Sequence, residues 1–301
     1  MSKQNALFLM VLVTLIWSAN GLLIKLVDWT PMAISGMRSS FAVVALLPFM
    51  GKPRKWCSMG SLVGGTAFAG ALVTFVIATK LTTAANAIFL QLTAPVYVAL
   101  FSWWILKERI SALDWIVTAV IMGGMLLFFG DNLTMEGFWG NISAILSAVC
   151  WAVFVLFYRK EKDDAPLKIP IIGHVICTLT GLPFVIAAGW WPTSGGIWII
   201  PMGALGAGLS FVLYTWVIKR LEAIEAIITQ TIEPIFNPIW VFLVVGEKPG
   251  PWALLGGGIV LTSITLHAIL RRKNHDITAP RYTLTDSSNS ALASSASTVS
   301  E

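Results

Sequence analysis

QTIEPIFNPIWVFLVVGE, residues 230–247, repeats the pattern of QLTAPVYVALFSWWILKE, residues 91–108, at a constant offset of 139 positions. The two stretches match at three residue types that are uncommon in apolar segments. Gln91 pairs with Gln230, Pro95 with Pro234, and Glu108 with Glu247. A weaker echo near the starts of the two halves pairs Trp17 with Trp151 and Lys25 with Arg159. The sequence therefore predicts an internal duplication, with one half at residues 1–130 and the other at 131–273.

The composition around these stretches is that of an integral membrane protein. Of the 301 residues, 56% are hydrophobic and 12% are charged, whereas soluble domains carry about 25% charged residues. Apolar runs long enough to cross a bilayer, which takes about 20 residues, recur along the chain. We predict an all-α fold with ten transmembrane helices, at about 5–27, 31–50, 59–79, 83–106, 111–130, 137–158, 168–190, 197–218, 222–245 and 251–270.

The basic residues predict the orientation of these spans. With the N-terminus inside, fifteen Lys and Arg residues lie in or beside the inner connections and three lie on the outer side, which is the bias expected for cytoplasmic loops. Both termini are therefore predicted to be cytoplasmic, and the polar, Ser-rich tail at 274–301 is predicted to be disordered. Because each half contains five spans, an odd number, the second half is predicted to insert upside down. Glu108 would then be cytoplasmic and Glu247 external.

The prolines predict where the helices are broken. Proline donates no backbone hydrogen bond, so Pro95 frees the carbonyl of Gln91 and Pro234 frees that of Gln230, while Pro238 adds a further kink. Broken backbone is tolerated at membrane depth only inside protein or beside water, so both helices are expected to line a central cavity. Inverted repeats with such helices are typical of secondary transporters, whose substrate sites lie at the repeat interface.

Glu233 lies about halfway along its predicted span and must face the interior, because a charge at mid-bilayer costs at least about 2.5 kcal/mol. Burial disfavours the charged carboxylate, so Glu233 is a candidate proton carrier or amine-binding group. Two other roles are equally compatible with the sequence, a helix–helix hydrogen bond or a pair with Arg38. Arg38 itself is a candidate for either a substrate carboxylate contact or a structural tie between helix ends.

The predicted pocket is apolar and aromatic with a few hydrogen-bonding groups, as small-molecule sites are. Its candidate substrate-binding residues are Trp17, Asn20, Asn86, Gln91, Tyr97, Trp151, Gln230, Glu233 and Asn237. His174 is expected to be a packing residue.

Other classes of protein are poorly supported. Cys57, Cys150 and Cys177 form no ligand cluster, so no metal, cofactor or disulfide is predicted. The chain contains no GxSxG or HExxH motif, which argues against an intramembrane enzyme. A single asymmetric Glu argues against a channel, which usually shows rings of like residues. A structural adaptor would need neither Glu233 nor broken helices, and the net charge of +5 reflects basic loops rather than nucleic-acid binding.

Three segments resemble the EamA family of the drug/metabolite transporter superfamily. They are LIWSANGLLIKL (15–26) with the following GMRSSFAV (36–43), KLTTAANAIFLQLTAPVYVALFSWWILKERIS (80–111), and RLEAIEAIITQTIEPIFNPIWVFLVVGEK (220–248). Pro238 and the Asn237 before it depart from the pattern of many relatives. The resemblance implies two inverted five-helix halves in a bacterial inner membrane and alternating access.

The resemblance also implies that the substrate is a small metabolite, most commonly an exported amino acid or derivative. Carriage of a purine, a nucleotide sugar or a drug-like compound is the alternative, followed by a channel. Protons are a candidate coupling ion, and the sequence leaves a monomer and a homodimer equally open.

Overall fold

The computed structural model describes residues 3–52, 58–105, 112–130, 134–161, 165, 167–217, 220–221, 229–230 and 232–278. Within these ranges the secondary structure is helical with no strand, which confirms the predicted all-α class. Glu108, Cys57, the first part of the predicted ninth span and the tail beyond Thr278 lie outside the described residues.

The helices of the first half are α1 (Lys3–Ser18), α2 (Asn20–Leu26), α3 (Pro31–Leu46), α4 (Met59–Leu81), α5 (Ala84–Gln91), α6 (Ala94–Ile105) and α7 (Ala112–Leu127). Those of the second half are α8 (Met135–Lys160), α9 (Lys168–Ala187), α10 (Ile199–Pro201), a π-helix (Met202–Leu209), α11 (Ser210–Val217), α12 (Ile232–Val245) and α13 (Pro251–Thr278). The last helix continues into the segment that the sequence predicted to be a tail.

Seven helical segments of the described chain are long and apolar enough to cross a membrane: Gln4–Leu26, Pro31–Phe49, Met59–Leu81, Ala84–Ser102, Met135–Lys160, Lys168–Ala187 and Gly196–Val217. Three shorter apolar helices lie at Trp115–Leu127, Ile232–Val245 and Pro251–His267. The chain is therefore a multi-pass membrane protein. The exact number of ten transmembrane helices stays a prediction.

Short polar residues set the starts of several helices. Thr30 accepts a hydrogen bond from the backbone N–H of Ala33 at the start of α3, and Thr134 does the same for Gly137 at the start of α8. Ser58 forms a capping box with Ser61 at the start of α4. Such side chains satisfy N–H groups that the first turn of a helix leaves unpaired.

Several helices are interrupted or carry a proline along their length. Gln91 ends α5 and Ala94 begins α6, so this break lies just before Pro95, where the sequence predicted it. Pro234 occupies the first turn of α12, and Pro238 lies inside that helix. The break between α1 and α2 at Ala19 and the π-helix were not predicted.

The outer surface of the bundle is strongly apolar. Large side chains such as Phe8, Trp104 and Leu126 are between 69% and 72% exposed. A soluble protein rarely exposes contiguous apolar patches above a few hundred Å². This surface fits contact with lipid.

The two halves pack together mainly through two helix pairs: α4 packs against α8, and α3 packs against α9. The second pair approaches most closely where Gly36 of α3 faces Gly181 of α9. A Cβ at Gly181 would lie 2.5 Å from the Gly36 Cα and 2.7 Å from the Met32 carbonyl oxygen. Small residues at a crossing allow membrane helices to approach backbone to backbone.

We therefore expect Gly181→Ala to lower the stability of the purified protein. The added methyl group meets backbone atoms that cannot move aside, and overpacking of this kind costs about 1–3 kcal/mol. Thermal unfolding in detergent would measure the effect. Gly258→Ala in α13 is the matched control, because a Cβ there meets no atom of the described residues within 4 Å. Equal unfolding temperatures for both variants would contradict this description of the crossing.

Candidate functional site

A cavity of about 220 Å³ lies between the two halves of the chain. Its apolar wall includes Phe68, Leu72, Phe75 and Ile88 from the first half and Phe211 from the second. Its polar groups also come from both halves. The cavity is therefore lined by residues of both predicted halves.

Six of the nine candidate substrate-binding residues line this cavity: Trp17, Asn20, Gln91, Trp151, Gln230 and Glu233. Pro95 and Pro234 lie in the same wall, as does Arg38. Residues that are paired by the sequence repeat therefore line the same cavity. They lie at the break between α5 and α6 and near the start of α12.

The other three candidates lie outside the cavity wall. Asn86 is fully buried and donates hydrogen bonds to the Phe128 carbonyl, at 3.3 Å, and to the Asn141 Oδ1, at 3.1 Å. Asn237 is buried against Gly21, at a helix contact that leaves no room for a Cβ on that glycine. Tyr97 is half-buried on α6 and is absent from the cavity wall. Asn86 therefore ties helices together rather than facing the cavity.

Hydrogen bonds hold several wall residues in place. The Trp17 indole N–H donates to the Ser210 Oγ at 2.8 Å, and the Gln91 amide donates to the Ser147 Oγ at 2.7 Å. Both bonds join the first half to the second. The Gln230 amide lies 3.2 Å from the Tyr214 hydroxyl within the second half.

Two residues of opposite formal charge face the cavity from opposite halves. Arg38 comes from α3, in the first half, and Glu233 from α12, in the second. In the part of the chain that the structure describes, neither residue belongs to an ion pair within 4.0 Å, so the predicted Arg38–Glu233 pair is not formed. The same part of the chain contains no group of His, Cys, Asp and Glu that could hold a metal ion.

His174 and the π-helix are features of the wall that sequence reasoning missed. His174 is fully buried, with its Nδ1 3.2 Å from the Ser39 Oγ and its ring edge-on to Phe68. Gly206 and Ala207 of the π-helix form part of the wall, and π-helical turns are frequent at functional sites. The glycine-rich run at 203–208 is the available signal, although glycines in an apolar span indicate only close helix contacts.

One end of the bundle is tied by an ion pair across the two halves. The Lys25 Nζ lies 2.6 Å from the Glu247 Oε2. The other oxygen of Glu247 accepts a hydrogen bond from the backbone N–H of Ala84, at 2.6 Å, so this carboxylate also caps the start of α5. Lys25 further donates to the Thr82 carbonyl at 2.9 Å. Glu247 therefore pairs with Lys25 rather than with its neighbour Lys248.

Comparison with known proteins finds two matches to one family model, described as the EamA-like transporter family, at residues 4–130 and 138–269. An uncharacterized transporter of Archaeoglobus fulgidus is 25% identical, covering 78% of this chain and 86% of that protein. The uncharacterized transporter YoaV of Bacillus subtilis is 23% identical, covering 87% and 96%. The threonine/homoserine exporter RhtA of Escherichia coli is 25% identical, covering 64% of each chain.

A solved crystal structure shares the fold, with a TM-score of 0.62 over 90% of this chain and 98% of the other. Its sequence is 16% identical, so this likeness concerns the fold alone.

Proposed function

The chain belongs to the EamA-like transporter family, and from that membership we propose that it is a secondary transporter that exports an amino acid or a close derivative by alternating access. It is a transporter and not an enzyme, as the sequence predicted. The observation that carries the proposal is the cavity between the two halves, which has an arginine on one side and a glutamate on the other. A free amino acid carries both complementary charges.

The size of the cavity favours a small substrate. Its volume is about 220 Å³, whereas pockets for drug-sized ligands span about 300–1,000 Å³. A nucleotide sugar or a drug-like compound fits such a space poorly. The similarity to RhtA, which is named as a threonine/homoserine exporter, supports the same class of substrate.

Glu233 offers a simple mechanism for proton coupling. Its carboxylate can hold either a proton or the ammonium group of the substrate, and the two exclude each other. A proton bound from outside would displace the substrate outward, and loss of that proton to the cytoplasm would prepare the site for the next molecule. Arg38 and His174 are the other cationic or titratable side chains of the wall, and neither can supply the negative charge that this exchange requires.

Alternating access requires the two ends of the cavity to open in turn. We place the halves 1–130 and 131–273 in opposite orientations in the inner membrane, with both termini in the cytoplasm. Glu247 then lies outside, and the Lys25–Glu247 ion pair closes the outer end. Only 15% and 21% of the two side chains is exposed, so opening this end requires water to reach both charged groups as they separate.

Flux measurements on the purified full chain in proteoliposomes test this function. We expect saturable export of one or more small amino acids, with counterflow when unlabelled substrate is present on the other side. Linear, non-saturating flux would instead indicate a channel. Failure to export any amino acid under a proton gradient would refute the proposed substrate class.

A further inference from the structure

The guanidinium of Arg38 is a buried polar group of the cavity wall. This side chain is 3% exposed, and Arg38 is the eighth of the 19 residues of the span Pro31–Phe49. The backbone at Arg38 is closely packed, because the Arg38 carbonyl lies directly against Gly203 of the π-helix, where a Cβ would not fit.

The hydrogen bonds of Arg38 leave most of its donors unused. A guanidinium carries five N–H donors. The structure gives one hydrogen bond, from Nη2 to the Leu72 carbonyl at 3.4 Å, which is long for an N–H···O bond. Within the part of the chain that the structure describes, the Nε of Arg38 is buried without a hydrogen-bond partner. A structural arginine that ties helix ends together would use more of these donors.

No counter-ion neutralises Arg38 within the described residues. Its buried neighbour His174 is neutral or positive and cannot serve as one, and the Glu233 carboxylate lies beyond the 4.0 Å of an ion pair. A buried charge without a partner is strongly destabilising in protein and more so at membrane depth. The site is therefore incomplete until an anion enters the cavity.

The chemistry of the side chain selects the kind of anion. The planar fork of a guanidinium matches the two oxygens of a carboxylate and binds them with two parallel hydrogen bonds. Glu233, on the opposite half, excludes a dianion by repulsion and attracts a positive group. The two residues thus suit the two ends of one small zwitterion.

We propose that Arg38 binds the carboxylate of the substrate in the central cavity and so selects α-amino acids over the corresponding amines and amides; this inference rests on the function proposed above. In the transport site, Arg38 recognises the carboxylate of the substrate and Glu233 recognises its ammonium group. Because Arg38 lies on α3 and Glu233 on α12, a bound zwitterion bridges the two halves, and its binding can affect the conformation of both.

A comparison of each acid with its carboxamide isolates this contact. The full chain in lipid nanodiscs would be titrated with L-threonine and L-threoninamide, and with L-valine and L-valinamide, by calorimetry. In the wild type we expect the acid to bind about ten- to a hundredfold more tightly than the amide, the range for a charge-assisted hydrogen bond. Arg38→Gln should remove this preference by weakening the acid alone, and Arg38→Lys should restore part of it.

Lys248→Gln is the matched control, since it neutralises an exposed cation outside the cavity, and it should keep the wild-type preference. Equal affinity of acid and amide in the wild type would overturn the role of Arg38 while export of the amino acid in proteoliposomes still upheld the function. An unchanged preference in Arg38→Gln would do the same. If no amino acid were bound or exported, both proposals would fall. Should Arg38→Gln not fold, the wild-type comparison decides alone.

Discussion

The Ala207→Trp protein should fold normally and export no more substrate than empty liposomes do. Ala207 lies on the π-helix and forms part of the wall of the cavity. An indole at this position would occupy much of a space of about 220 Å³ that the substrate needs. We expect export to fall by more than about tenfold, equivalent to over about 1.4 kcal/mol of lost binding.

Leu205→Trp supplies the control on the same helix. Leu205 is 48% exposed on the outer surface, so a tryptophan there meets lipid and leaves the cavity free. Initial rates of export in proteoliposomes, normalised to inserted protein, would separate the two variants. Full activity in Ala207→Trp would mean that substrate passes elsewhere. Loss of activity in both variants would point to a general effect of bulk on the π-helix.

Replacing Glu233 by Gln should uncouple export from the proton gradient. In the wild type, an acidic exterior should accelerate export, because protons bound from outside displace the substrate's ammonium group from Glu233. The neutral amide can neither accept that proton nor pair with the ammonium. We therefore expect gradient-driven export to fall by at least about tenfold, given that hydrogen bonds to charged groups contribute about 1.5–3 kcal/mol.

The measurement is export from proteoliposomes as a function of external pH. Glu233→Asp keeps the carboxylate and should retain part of the response to the gradient. Glu136→Gln makes the same chemical change at an exposed carboxylate at the start of α8, and it should behave as the wild type. A Glu233→Gln protein that kept full gradient-driven export at every pH would rule out this residue as the proton carrier.

The sequence could predict a helix break only where a residue of the same helix causes that break. The break before Pro95 follows from the missing N–H of proline, which acts on its own helix. The break at Ala19 has no such cause, because nothing in LIWSANGLL forbids a continuous helix. It lies beside the contact between Gly21 and Asn237, residues more than two hundred positions apart. A contact of that kind is invisible to a reading of one segment at a time.

The prediction of site residues was limited in the same way, because the sequence does not show contacts between distant segments. A polar side chain in an apolar span must face the interior, and this argument selected Gln91 and Gln230, which line the cavity. It could not tell a cavity from a helix contact, which is why Asn86, bonded to Asn141, looked like a pocket residue. Likewise His174 reads as packing in the sequence, since the cavity that it lines exists only once α9 packs against α3.

Cysteine accessibility at Asn20 tests most directly whether the two halves enclose a cavity that opens to each side in turn. Asn20 lines the cavity, and Asn20→Cys would be made in a chain whose three natural cysteines are replaced by serine. A membrane-impermeant thiol reagent should label it from the cytoplasmic side and, separately, from the external side, and bound substrate should slow both reactions. Labelling from one side only, whatever the substrate and pH gradient, would contradict alternating access through this cavity.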